Sequence, residues 1–316
     1  MNNISVFSKD GQWYKGNLHC HSTVSDGFFT QEKIVELYKE RGYSFIAFTE
    51  HEIYTDRKDL DSEKFIVMPG VERSISLGKG QVYHINGIGD FYSTCENRHK
   101  NGEEIQVPQY TGMEMVQKIV DELAKRGNMV MVNHPYWSWN SMSDINSLKN
   151  YDFMEIYNGG CDVETNTGYS ETYWDNALQN GAESFGVATD DNHNYNYLEE
   201  ADNLWDSFKG WVYVKAKDLT RESISKALKE GEFYSSSGPE IHNIEIERDE
   251  IRVSCSPCKE IHFISYPRRG FSRRGVKGEL ITEGVHKLTG REQYIRIKCI
   301  DENNNCAWSN AIFFKI

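Results

Sequence analysis

Short apolar runs alternate along the chain with amphipathic stretches. Tyr43–Thr49 (YSFIAFT), Lys64–Val71 (KFIVMPGV), Asn128–Asn133 (NMVMVN), Tyr151–Tyr157 (YDFMEIY) and Ser184–Thr189 (SFGVAT) read as strands buried on both faces, with Trp211–Lys215 a further one. Thr30–Arg41, Thr111–Arg126, Gly168–Asn180 and Ser223–Lys229 lie between or after them and read as helices. Each is followed by a stopping glycine: Gly42, Gly127, Gly181 and Gly231. Strands alternating with helices predict βαβ units and a parallel sheet. Past Ser235 the texture changes at Ser235-Ser236-Ser237-Gly238-Pro239, and short alternating runs follow without helices. The expectation is an α/β unit over residues 1–236 and a small β-sandwich over 237–316.

The polar residues at the ends of the apolar runs are the informative ones. Gly16–Gly27 reads GNLHCHSTVSDG. If Asn17–Ser22 is extended, His19 and His21 share one face and Cys20 takes the other, because side chains alternate along a strand. Later runs deliver Glu50-His51, Glu72, His134, and Asp191 with His193, while Gln81–Gly89 carries His84. An isolated His-x-His is more often a packed pair than a metal site. Here, however, the ends of several strands carry imidazole or carboxylate, and α/β barrels assemble their sites at those ends. The candidate ligands are His19, His21, Asp26, His51, Glu72, His84, His134, Asp191 and His193. Nine donors exceed what one ion needs, so two or three divalent ions are expected. Imidazole and carboxylate without thiolate suit Zn, Mn or Fe.

Six segments in order, NLHCHSTVSDG, FTEH, PGVE, VYHINGIG, VNHP and TDDNH, resemble the PHP (polymerase and histidinol phosphatase) superfamily of metal-dependent hydrolases across residues 13–235. The chain is most similar to the CehA/McbA-like branch, which also has a terminal β-domain with a motif like Ala307-Trp308-Ser309-Asn310. The resemblance implies a distorted (β/α)7 TIM-like barrel with a metal cluster at its C-terminal mouth. Carried over by position, His19, His21, Glu72 and Asp191 hold one ion, and Glu72, His84 and His134 a second, with Glu72 bridging. Asp26, His51 and His193 hold a third. The family's usual Thr-Asp-His is Thr49-Glu50-His51 here. That change bears on the hydrogen bond orienting His51, or on the third ion's geometry.

The implied activity is that of a phosphoesterase, in which two ions ~3.5–4 Å apart bridge a water and turn it into a hydroxide nucleophile at neutral pH. Glu72, Asp191 and His134 are the expected catalytic residues, and the substrate a small phosphate ester. The same cluster suits a carbamate, ester or amide, and a metal-containing binding module is the non-enzymatic alternative. Tyr136, Trp137 and Trp139 after His134, and Tyr195 and Tyr197 after His193, are candidates to line the mouth. Their competing role is to pack the rim. Arg73 beside Glu72 is placed as a phosphate contact or a structural ion pair.

Composition narrows these readings. A net charge of −13 over 316 residues disfavours a nucleic-acid partner gripped by its backbone. No stretch has the apolar length of a membrane span, and the first residues carry no apolar signal segment, so no membrane partner is expected. Seven cysteines, an odd number, fit free thiols in a reducing cytoplasm. Cys255-x-x-Cys258 with Cys299 and Cys306 lacks the paired spacing of a four-thiolate zinc site, so a metal is not expected there.

Overall fold

The computed structural model describes residues 4–78, 80–106, 112–195 and 206–314. Strand β1 (Gln12–Asn17) leads into the histidine segment and is followed by helix α1 (Gln31–Glu40). The Thr30 side chain accepts a bond from Lys33 N and caps α1, and Gly42 ends the turn with φ +76°. Ile34, Val35 and Tyr38 form the buried stripe of α1. Strands β2 (Phe45–Ala47) and β3 (Ile66–Met68) then run parallel to β1.

A hairpin comes next: β4 (Gly70–Gly78) and β5 (Gln81–Gly89) pair antiparallel from Gly70↔Ile88 to Gly78↔Gln81. This departs from the all-parallel expectation. A connection this short joins only antiparallel neighbours, and Gly78 and Gly80 supply the positive φ it needs, +77° and +79°. Helix α2 (Met113–Lys125) buries Val116, Ile119, Val120 and Leu123, spaced to line one face. Each such side chain contributes about 1.5–3 kcal/mol relative to exposure. The parallel pattern resumes with β6 (Asn128–Val132), β7 (Phe153–Asn158), helix α3 (Glu171–Gln179) and β8 (Phe185–Thr189). Strand β9 (Trp211–Ala216), helix α4 (Arg221–Lys229) and β10 (Phe233–Ser236) complete this part.

One sheet has the order β8-β7-β6-β5-β4. A second includes β10-β9-β1-β2-β3. Among the described residues no ladder closes the two into one barrel. They are linked beyond the strand ends by single parallel bridges, Cys20↔Asn192 and His51↔Glu72. The ladder of β1 stops at Asn17 and the chain bends at Leu18, so the expected strand over 17–22 is cut short, and His19 and His21 flank Cys20, which makes a single bridge to Asn192.

The later strands are β11 (Ile241–Glu247), β12 (Glu250–Cys258), β13 (Glu260–Tyr266), β14 (Phe271–Arg274), β15 (Ile281–Lys287), β16 (Tyr294–Ile300) and β17 (Cys306–Ser309). Strand β17 pairs with β10, so the second sheet runs on without a break as β10-β17-β16-β13-β14. Strands β11, β12 and β15 form a separate sheet. Ile244, Ile251, Val253, Phe263, Ile295 and Ile297 are buried in a core of their own between the two sheets. Arg296 on β16 reaches α3, pairing with Asp175 at 2.7 Å and Glu171 at 3.3 Å. No helix of the described chain is long and apolar enough to cross a membrane.

Candidate metal centre

The nine donors meet at one mouth. His19 Nε2 lies 3.2 Å from Glu72 Oε1 and 3.0 Å from Asp191 Oδ1, and His21 Nε2 lies 3.2 Å from both Glu72 Oε2 and Asp191 Oδ1. The two Nε2 atoms are themselves 3.2 Å apart. A second group contains Glu72, His84 and His134, with His84 Nδ1 3.1 Å and His134 Nε2 3.6 Å from Glu72 Oε1. A third contains His21, Asp26, His51 and His193, in which Asp26 lies 3.4 Å from His51 Nε2 and 3.5 Å from His193 Nε2. Within each group the ligand atoms lie within 4.8 Å of one another. Glu72 belongs to two groups and His21 to two.

Their backbones are unusual. His134 has φ +24° and Asp191 φ +52°, both in the left-handed region that L-residues avoid. Such positions cost on the order of 1–3 kcal/mol each and persist where the surroundings over-determine them.

Electrostatics follow from burial. Burial alone would lower the pKa of His21, but hydrogen bonds to Asp191 and Glu72 push it up to about 10. Burial would likewise lower His19, and Asp191, Glu72 and Glu155 hold it well above the usual imidazole range. Burial works against the charge of Glu72 and Asp191, yet the surrounding imidazoles hold both carboxyls well below their ordinary values. His193 goes the other way, pushed down to about 4 by burial and by His21.

No family model matches the chain. A crystal structure of a two-domain protein of Bacteroides vulgatus, containing a predicted PHP-like metal-dependent phosphoesterase, aligns over 99% of both chains with TM-score 0.50 and 13% identity. The fold is PHP-like. A crystal structure of a Bifidobacterium adolescentis protein assigned as a metal-dependent phosphoesterase aligns over 59% of this chain and 89% of its own with TM-score 0.40 and 14% identity. Among curated proteins, the phosphoribosyl 1,2-cyclic phosphate 1,2-diphosphodiesterase of Eggerthella lenta is 34% identical over 100 residues. That match spans 27% of this chain and 38% of the relative.

Around the nine donors stands a layer that the sequence reading missed. Glu155, wholly buried on β7, accepts from His19 Nδ1 at 2.7 Å, His134 N at 2.7 Å, Asn158 Nδ2 at 2.9 Å and Thr189 Oγ1 at 2.5 Å. Asn158 also donates to Asp191 Oδ2 at 3.0 Å. The signal was present as a carboxylate set between Met154 and Ile156 in the run YDFMEIY. His193 Nδ1 donates to the Asp191 carbonyl at 3.1 Å, which leaves Nε2 bare toward Asp26.

Glu50 turns away from His51. It accepts from Ser22 N at 3.1 Å, Ser25 N at 3.2 Å, Ser25 Oγ at 2.6 Å and Gln31 Nε2 at 2.9 Å, and also from the Ser22 hydroxyl. The longer carboxylate therefore holds the turn that carries Asp26. At Gly27 a Cβ would meet the His21 carbonyl oxygen at 2.6 Å, so this turn admits no larger residue.

The ligands open into a cavity of about 200 Å³, lined further by Trp137, Cys161, Glu164, Tyr195 and Asp206. Trp137 packs edge-on to His134 with centroids 5.0 Å apart and donates Nε1–H to Glu164 at 3.3 Å. Tyr195 stacks on His193 at 5.1 Å, and its hydroxyl donates to Asp26 at 3.3 Å. Tyr136 and Trp139 are exposed beside the mouth, their rings 6.4 Å apart, and are not among the lining residues. Tyr197 lies outside the described residues. Arg73 is not brought to the cavity either. It follows Glu72 on β4, so its side chain takes the opposite face, where Nε pairs with Glu52 at 2.6 Å and Nη2 donates to the Gln106 carbonyl.

Proposed function

We propose that the protein is a metal-dependent hydrolase that cleaves a small phosphate ester, with two or three divalent ions (Zn, Mn or Fe) held by the nine donors. The observation that carries this reading is the sharing of Glu72 between two donor groups and of His21 between two. The donor set fits such ions. Two imidazole nitrogens and carboxylate oxygens converge at 3.0–3.2 Å, and a cation balances carboxylates that burial would otherwise penalise. His19, His21, Glu72 and Asp191 would hold one ion, Glu72, His84 and His134 a second, and Asp26, His51 and His193 a third. When bound, the ions supply Lewis acidity at the phosphoryl oxygens and lower the pKa of water.

The chain's own residues orient and enclose. With an ion bound, Glu155 would keep the proton of His19 on Nδ1 and leave the Nε2 lone pair for the cluster. Ser138 Oγ holds His134 Nδ1 at 2.9 Å and points Nε2 inward. Trp137 and Tyr195 narrow the mouth, exclude water and offer flat faces to the organic part of the ester. On this reading, residues 1–236 are the hydrolytic unit, a distorted barrel completed by single bridges at its mouth. Residues 237–316 pack beside it.

A second reading, hydrolysis of a carbamate, ester or amide by the same cluster, draws support from the lining. Among the described residues no Lys or Arg lines the cavity, which suits a neutral substrate. The test is hydrolysis of an aryl phosphate by protein loaded with Mn or Zn, with His19→Ala and Asp191→Ala abolishing it. Turnover that survives both substitutions overturns the metal-dependent reading. Turnover of an aryl carbamate without phosphatase activity moves the assignment to carbon.

A further inference from the structure

Three thiols meet inside the C-terminal strands. Cys255 and Cys258 on β12 and Cys299 on β16 are buried, unpaired by disulfide, and place their sulfurs within 4.8 Å of one another. Residues three apart on a regular strand face opposite sides, so Cys255 and Cys258 should not converge. Irregular register makes them do so. From Ser254 to Cys258 on β12, the partner β15 advances only from Glu283 to Ile281. On the other edge, the step from Ser254 to Cys255 spans Asn243 to Ile241 of β11. Pro257, which has no N–H to give the ladder, sits in this irregularity. The bulged segment forgoes ladder bonds and turns both sulfurs toward Cys299 on the facing sheet.

We propose that Cys255, Cys258 and Cys299 form a three-sulfur site for a soft monovalent cation of the copper(I) class. Sulfur donors select soft ions. No His, Asp or Glu joins the group among the described residues, whereas structural zinc takes four ligands. Cys306, the remaining candidate, lies opposite Ile300 in the β16–β17 ladder, and its thiol is directed to the Asn304 carbonyl. The three sulfurs sit in an apolar core with Ile251, Val253, Ile261 and Phe263. Because β12 and β16 belong to different sheets, the ion would tie the two together.

The site is independent of the proposed hydrolytic centre. The test uses the full reduced chain, its imidazole–carboxylate donors first saturated with Mn, titrated anaerobically with Cu(I) against a chromogenic Cu(I) chelator. The expected result is one Cu(I) per chain with the ultraviolet sulfur-to-copper charge-transfer band, which imidazole and carboxylate do not give, and a raised thermal midpoint. Cys258→Ser and the volume-conserving Cys299→Val should each lose the band and the thermal shift, while Cys306→Ser keeps both. A missing band in the wild type, or a band that survives both Cys258→Ser and Cys299→Val in chains that melt cooperatively, overturns the proposal. So does stoichiometric displacement of Cu(I) by Zn(II).

Discussion

Glu155 Oε1 accepts the Nδ1 proton of His19 at 2.7 Å in a pocket from which water is excluded. The same carboxylate takes the backbone N–H of His134 and the Thr189 hydroxyl, so one side chain ties together the ends of β1, β6 and β8. Glu155→Gln keeps the volume and loses the charge. It should weaken binding of the first ion about 10–100-fold, with turnover falling in step and the fold retained. Metal competition titrations alongside far-ultraviolet circular dichroism check this, and unchanged affinity would leave Glu155 a packing residue only.

Glu50 satisfies donors of Ser22, Ser25 and Gln31 that are largely shut off from water. Glu50→Ala leaves them unpaired and should cost about 1–3 kcal/mol in denaturant unfolding. Because this turn carries Asp26, the number of tightly held ions should fall by one, read by elemental analysis. Loss of stability with a full complement of ions would separate the turn from the third group.

Ion removal should show in stability as well as turnover. An ion that binds only the folded chain, at a hundred times its Kd, adds about 2.7 kcal/mol. Chelation should therefore lower the thermal midpoint of the wild type and leave Asp191→Ala nearly unmoved. Equal shifts in both would count against the cluster as the binding place.

The contact between α3 and β16 makes a pH prediction. Burial alone would raise Glu171, but Arg296 and Lys298 hold its carboxyl below the ordinary range. A depressed folded pKa means that the unfolded chain binds more protons as pH falls. Stability is thus fully present above the ordinary glutamate pKa of about 4.3 and is lost as pH drops through the folded value. Thermal midpoints measured through that window should fall less steeply in Glu171→Gln than in the wild type.

Trp137 is expected to act on binding rather than on chemistry. Removing an aromatic contact worth about 0.5–1.5 kcal/mol predicts a KM for aryl esters raised roughly 2–10-fold in Trp137→Ala, with kcat little changed. Steady-state kinetics with aryl and alkyl esters separate the two parameters. A loss confined to kcat would place Trp137 in the orientation of His134 instead.

What the sequence determined by itself is local. The α1 stripe of Ile34, Val35 and Tyr38, the Thr30 cap and the glycine stops were legible because helix periodicity and capping depend on neighbours a few residues apart. The nine candidate donors were legible for a similar reason, since most stand where an apolar run ends. The tertiary structure alone decided what depends on register between distant strands. It turned β4 and β5 into an antiparallel hairpin, and it carried one sheet from β1 through β10 into the C-terminal strands. It aimed Arg73 at Glu52 and Glu50 at the Ser22–Ser25 turn, and it set Glu155 behind His19. Cys255, Cys258 and Cys299 are the sharpest case. Spacing argued against a site there, and a bulge, which no periodicity encodes, brought the three sulfurs to one place.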